Sequence, residues 1–446
     1  MIDRMNICRI WLCLLAFPLF LSAQERKKWT LQECIDYAVR HNLEVRQGEN
    51  EIEKLKAERS GLKHAFLPEV AGGLSQQFDF GRSLNRSNTY EDSNTRTSSF
   101  SLSAELPLST GFRRTASIGR NKFDLLAAEA DKQRLENTLA LNVASCYFQV
   151  LLDKEILGIA RKQIELTREQ ALKTCLLLEN GKVPPSQLYE VHAQLADDEL
   201  AATEANNALR MSVVELMQLM ELHGVEPIDV DSLENVLLPM DEIAPEEVYM
   251  SALHCMPQIQ SARYSLKGSR KAVWVARSGY YPTLSLGAGI NSGYYHTAGA
   301  PNRSFASQLR NNMQKSICLT LSIPLFDRLA TRTAVRTARI EEQNAALALE
   351  SEKKQLYKEI ETAYTDALSA WEKYESTQRA VAANEEAHRY AWEKYVSGKS
   401  TVYEYNEAKM KWADALSKQS QAKYTYLLKE RILAFYSCHQ TDSWTN

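Results

Sequence analysis

Two short clusters in this chain have side chains suited to chemistry: His254-Cys255-Met256, a set of soft metal ligands, and Asp197-Asp198-Glu199, carboxylates that in a cleft would share protons. Neither spacing serves that chemistry. Adjacent residues on a helix or turn point in different directions and do not converge on one ion. The acidic triplet reads as a solvated helix face. No HExxH, GxSxG or GxxxxGK[ST] pattern occurs, and Gly181-Lys182 lacks the upstream glycine of a phosphate loop. Beyond Cys8 and Cys13, the cysteines Cys34, Cys146, Cys175, Cys255, Cys318 and Cys438 form no CxxC pair, and they read as mostly buried small apolar residues. No catalytic residue, cofactor or metal is expected. A net charge of -3 calls for no nucleic acid.

The elements around these residues explain more. Arg4 and Arg9 flank the start of an apolar run, Ile10 to Leu21, that closes on Ser22-Ala23: a signal peptide over 1–23, too short to span a bilayer. Gln24 is not cysteine, so no lipoprotein anchor is expected at this site. The remaining chain repeats itself. Leu106-Pro107-Leu108 is echoed by Ile323-Pro324-Leu325, Tyr147 by Tyr364 and Gly181-Lys182 by Gly398-Lys399, all at a shift of 217. The first repeat, 24–228, is expected to hold a helix, barrel strands over 68–80 and 98–109, and a long helical hairpin with its tip near 181–186. An acidic, proline-containing linker, 229–245, leads to the second repeat, 246–437, with barrel strands 282–295 and 316–326 and a tip near 398–401; a tail follows over 438–446.

The strand segments share one code. Val70, Leu74 and Phe78 alternate with Ala71, Gly73, Ser75 and Gln77; Phe100, Leu102 and Ala104 alternate with Ser99, Ser101 and Ser103. Leu284, Leu286 and Ile290 alternate with Ser285, Gly287 and Gly289, and Ile317, Leu319 and Leu321 alternate with Ser316, Cys318 and Thr320. About ten residues, apolar on one face only, are enough to cross a bilayer in a barrel. Loops over Gly81–Thr97 and Thr297–Lys315 are polar, and aromatics such as Phe66, Phe112, Tyr281, Phe80 and Tyr294 stand at both rims. Four strands cannot enclose a lumen, so copies must associate; three would supply twelve strands without an open edge.

Between the strand pairs run helical patterns in steps of three and four, such as Leu139, Val143, Cys146, Val150 and then Ile360, Tyr364, Ala367, Trp371. Gly181 and Gly398 suit a helix C-terminus, Pro184-Pro185 prevents continuation, and Thr401 with Glu404 has the spacing of a capping box.

The tip sequence Tyr395-Val396-Ser397-Gly398-Lys399-Ser400-Thr401-Val402-Tyr403-Glu404-Tyr405-Asn406-Glu407-Ala408, echoed from Leu178 to Glu190, resembles the TolC-like outer-membrane efflux proteins, the outer membrane factors. The resemblance covers essentially all of the chain after the signal peptide. It implies a mixed α/β membrane protein, four transmembrane strands per subunit, a homotrimeric twelve-stranded barrel continuous with a periplasmic α-helical barrel, and residence in the outer membrane of a Gram-negative-type bacterium. It further implies a passive exit duct of a tripartite efflux or type I secretion system, served by a periplasmic adaptor and an inner-membrane pump and embedded in outer-membrane lipid. Glu404 and Glu407 then stand where the family rings its pore mouth with acids, and Tyr395 matches a gate tyrosine. Ser400 and Gln187 replace the arginine and aspartate of the best-known gate, so no ion-pair latch is expected. Gly181, Lys182, Val183, Pro184, Gly398, Lys399, Ser400 and Thr401 are expected to meet the adaptor as exposed tip residues. A periplasmic coiled-coil scaffold without channel activity would account for the helices but not for the strands.

Overall fold

The structure, a computed structural model, describes residues 28–84, 88–92, 94–222, 228–231, 239 and 244–437. The expected signal peptide, the tail and most of the linker lie outside them. Two compact units form, and each draws on both repeats.

One unit, Gln47–Gln133 with Pro257–Gln355, holds a four-stranded antiparallel sheet. Its strands are β2 (Glu69–Asp79), β5 (Thr95–Thr110), β7 (Thr283–Thr297) and β8 (Gln314–Ser322), in the order β2-β5-β7-β8. The register sets Leu74 opposite Phe100, Leu102 opposite Ile290 and Leu286 opposite Leu319, so one face is apolar, while Ser101 lies opposite Gly73 and Asn291 on the other. Away from the loop end that apolar face is uncovered: Leu74 is 73% exposed and Ile317 82%.

The two prolines of the repeat meet different fates. Pro107 stays inside β5 because the register slips between Pro107 and Ser109, a bulge that accommodates the missing N–H. Pro324 has no such bulge, and β8 ends at Ser322 rather than at the expected 326. The expected loops also carry structure. Short strands β3 (Arg82–Leu84) and β4 (Tyr90–Asp92) pair, β5 begins at Thr95, and the second loop folds a helix, α7 (Phe305–Asn311). Side-chain amides then stand in for β8 along the upper edge of β7. Gln308 exchanges hydrogen bonds with the Tyr295 backbone (3.0 and 2.9 Å), Asn302 does so with Thr297 (3.0 and 2.8 Å), and Asn312 donates to the Gly293 carbonyl (2.7 Å).

Each strand pair passes into a helix through two left-handed residues, Gly111-Phe112 (φ 59° and 64°) and Arg328-Leu329 (φ 56° and 65°), again 217 positions apart. A Cβ at Gly111 would lie 2.8 Å from the Ser278 carbonyl oxygen, so this junction requires glycine for space as well as for conformation. The helices that follow, α3 (Arg113–Glu179) and α8 (Ala330–Val396), are 67 residues each. Neither contains proline, and α8 contains no glycine, so nothing breaks them over roughly 100 Å.

The other unit combines the described residues of Met1–Arg46 with Arg134–Met256 and Leu356–Asn446. Here α1 (Leu31–His41) starts on a complete Thr30/Glu33 capping box. Its Cys34, Ile35 and Ala38 bury against Val143, Tyr147 and Leu151 of α3 and Leu216 and Met220 from α4 (Pro185–Leu219) and its C-cap. The linker expectation needs correction at both ends. Asp229 and Val230 form a strand, β6, parallel to β1 (Lys28–Trp29), and Pro245 is the first residue of α5 (Pro245–Cys255). Tyr147, fully buried, donates to the carbonyls of Trp29 (3.1 Å) and Asp231 (2.9 Å) and so holds the strand pair to the helices. Helix α9 (Val402–Tyr436) completes the second hairpin. Among the described residues no helix is long and apolar enough to cross a membrane.

The cysteines do not behave uniformly as buried apolar residues. Cys34 is buried, Cys146 and Cys175 are half-buried, Cys318 is exposed and Cys255 is disulfide-bonded.

Candidate functional site: the hairpin tips

Both tips close by the same hydrogen bonds. Gly181 (φ 68°) donates to Leu178 O and Lys182 to Leu177 O; Gly398 (φ 75°) donates to Tyr395 O and Lys399 to Lys394 O. This is the Schellman pattern, which satisfies the orphan carbonyls at a helix end and needs a left-handed residue. The return helices then start on different caps, Pro184 in α4 and Thr401 in α9.

Thr401 accepts from the Glu404 N–H at 3.3 Å, but the reciprocal half of the expected capping box is missing. The Glu404 carboxylate instead takes the Ser400 hydroxyl, four residues back. Glu407 is paired with Lys411 at 2.7 Å, both well exposed, so a cation accompanies this carboxylate along the helix. Lys182, Val183, Gln187, Ser400, Thr401 and Glu404 help line a cleft of about 410 Å³ between the two tips, and Tyr395 is part of its lining.

Tyr395 does not present its side chain to solvent; it is 2% exposed. Its hydroxyl meets that of Thr174 on α3 at 2.6 Å, and its ring stacks on Tyr405 at 5.5 Å. Tyr405 is likewise buried, whereas Tyr403 is exposed. Burial pushes the phenols of Tyr395 and Tyr405 upward, so both remain neutral. Above them His388 bonds Tyr405 Oη (3.2 Å) and stacks on Trp412 (4.8 Å), and Trp412 has Lys162 Nζ 5.3 Å from its ring. Burial, then the nearby Lys409 charge, hold the His388 imidazole below its ordinary value.

The buried charge pair in this region was not expected from sequence. Lys409 Nζ, 1% exposed, donates to Asp198 Oδ2 at 2.9 Å and to Thr167 Oγ1, whose own hydroxyl reaches the same carboxylate. Asp198 is therefore no part of a solvated face, although Glu199 beside it pairs with exposed Arg168 as a surface residue would. Burial lowers the Lys409 ammonium and Asp198 opposes that shift. The available signal was positional. Lys409 occupies the buried stripe Val402, Tyr405, Lys409, Trp412, where a charge needs a partner.

The sequence profile of the outer membrane efflux protein family matches residues 34–221 and 248–437. The chain belongs to that family. Among relatives of this outer-membrane efflux protein, CyaE of Bordetella pertussis is 26% identical over 414 residues, covering 91% of this chain and 82% of the relative. The outer membrane protein TolC of Escherichia coli K12 is 24% identical over 400 residues, covering 87% and 79%. A solved structure of CusC shares the fold, with a TM-score of 0.77 at 18% identity and 92% coverage of both chains. With that membership the efflux protein is an outer-membrane channel protein with periplasmic helices, not an enzyme, and the scaffold reading falls away.

Proposed function

We propose that three copies of this chain form a passive exit duct, a twelve-stranded barrel continuous with a periplasmic helical tunnel. The duct receives its cargo from an inner-membrane pump through a periplasmic adaptor. One observation carries the reading. The sheet has four strands with β2 and β8 as edges, an uncovered apolar face and a Ser- and Gly-rich opposite face. Open edges and bare apolar surface are costly in water and are both removed when sheets join edge to edge in lipid. The absence of nucleotide or metal chemistry in the sequence leaves the energy source to the partner.

At the tips, Gly181, Lys182, Val183, Pro184, Gly398, Lys399, Ser400 and Thr401 are the surface offered to the adaptor, and the cleft they border gives it a recess to enter. Glu404 and Glu407 supply six carboxylates to the trimer mouth, tempered by Lys411. Tyr395 acts as a positioning residue rather than a lumen wall. Its bond to Thr174 joins α8 of one hairpin to α3 of the other, and closure rests on that contact and the packing beneath it. In planar bilayers, Glu404→Gln with Glu407→Gln weakens divalent-cation block of single-channel current. Unchanged block removes the carboxylate mouth, and absence of any conductance from the unaltered protein removes the duct.

A further inference from the structure

The charges of the barrel sheet are sorted by face. Its acids, Glu69, Asp79 and Glu105, alternate onto the face of Ser75, Ser101 and Ser103. Its two strand cations lie on the apolar face: Arg96 opposite Phe78 and His296, and Lys315 opposite Ile290. Both stand toward the end where the strands are joined by loops. From Val248 to Phe326 the chain contains no Asp or Glu at all.

Helix α7 adds to the same side. Phe305 packs edge-on against Phe100 (6.0 Å) and Tyr294 (5.2 Å), which seats the helix on the apolar face, while Gln308 and Asn312 hold it to β7. Arg310 on the helix, and Arg303 and Met313 flanking it, are left exposed. None of Arg96, Arg303, Arg310 and Lys315 forms an ion pair within the described residues. Arg96 instead places its guanidinium 5.7 Å from the centre of the Phe78 ring.

A single basic residue at an aromatic rim is ordinary snorkelling. Arg96 on the apolar face and exposed Arg303 and Arg310 around α7, with every acid of the sheet on the other face, leave a positive field at the rim that attracts anions. The anion within reach of lipid-facing residues is headgroup phosphate, and arginine's planar fork suits its geometry. Lys315 lies at the start of β8, but its row, shared with Ile290 and Leu102, is six residues from that of Arg96 along β7, about 20 Å at roughly 3.4 Å per residue, so Lys315 sits beside the apolar band rather than with Arg96 at the rim. Three guanidinium groups at the rim favour a headgroup with more than one phosphate.

We propose that this rim binds a phosphorylated glycolipid of the outer leaflet, its phosphates held by Arg96, Arg303 and Arg310 and its acyl chains lying along Leu102, Ile290 and Ile317. The inference rests on the duct reading, which puts the loop end at the outer leaflet. Native mass spectrometry of the purified protein, equilibrated in detergent with diphosphoryl lipid A, dephosphorylated lipid A or phosphatidylglycerol, tests it. Diphosphoryl lipid A is retained by the unaltered protein, and retention falls at least tenfold with dephosphorylated lipid, with phosphatidylglycerol, or in the variant R96Q/R303Q/R310Q. A lumen-face control, E69Q/E105Q, retains the lipid as the unaltered protein does. Equal retention by the cation variant, or of either comparison lipid, overturns the proposal. Bilayer conductance of the same preparations separates the two readings. A conducting protein without lipid preference sinks only the glycolipid site, whereas a protein that enters no bilayer sinks the duct and the site together.

Discussion

At the scale of single residues, the hairpin pair is held by polar groups placed where apolar ones would suffice. Lys409 and Asp198 form a buried pair, and removing one partner leaves an uncompensated charge, a change that costs about 3–5 kcal/mol. Asp198→Asn is therefore expected to lower the thermal midpoint of the helical signal by several degrees, while Glu407→Gln, at an exposed i,i+4 pair, changes stability by less than about 0.5 kcal/mol. Equal effects of the two substitutions would contradict this ranking. His388 gives a pH dependence of definite sign. The unfolded chain protonates this imidazole near 6.5, and the folded helices, which bury it beside Tyr405, Trp412, Lys409 and Lys162, do so only at lower pH. In that window the unfolded state binds more protons, so stability falls as pH drops below about 6.5 and levels off below the folded value. Glu385 on α8 opposes the effect without reversing it. Thermal scans of His388→Gln between about pH 7.5 and 4.5 should show a shallower loss than the unaltered protein; the same slope in both excludes the imidazole as its source.

Elements are decided by turn chemistry more than by propensity. Gly111 and Gly398 are both left-handed, but a Cβ at Gly111 meets backbone and one at Gly398 meets nothing within 4 Å. Gly398→Ala should cost about 1 kcal/mol from conformation alone, and Gly111→Ala clearly more because the strand-to-helix junction must shift. Heat stability of the assembled protein on gels orders the two, and a milder Gly111 variant contradicts the junction argument. These same features determined what could be read from sequence. Alternation revealed the four strands, and the Gly and Pro punctuation revealed the tips, because both are local signals repeated 217 residues apart. Lys409 with Asp198 stayed hidden because its partners are 211 positions apart, and each residue alone resembles a solvated charge. Helix α7 was missed for a related reason. Seven residues carry little periodicity, and what fixes them is amide bonding to the edge of β7. The Glu404 cap was misread because Ser400 competes for its carboxylate, a choice that spacing cannot resolve.

For the whole molecule, the sorted faces of the sheet, small and acidic on one side, apolar with a cationic rim on the other, make sense only if the two sides meet different media. A single chain cannot separate them, since its sheet ends at β2 and β8. Family membership gives the compartment, and the proposed association of three copies would pair the open edges. The most direct test is the mass of the mature protein extracted from outer membranes in mild detergent, read by light scattering with the detergent contribution subtracted. The account predicts three chains per particle, dissociating to one on heating. A monodisperse single chain that stays soluble without detergent would contradict it.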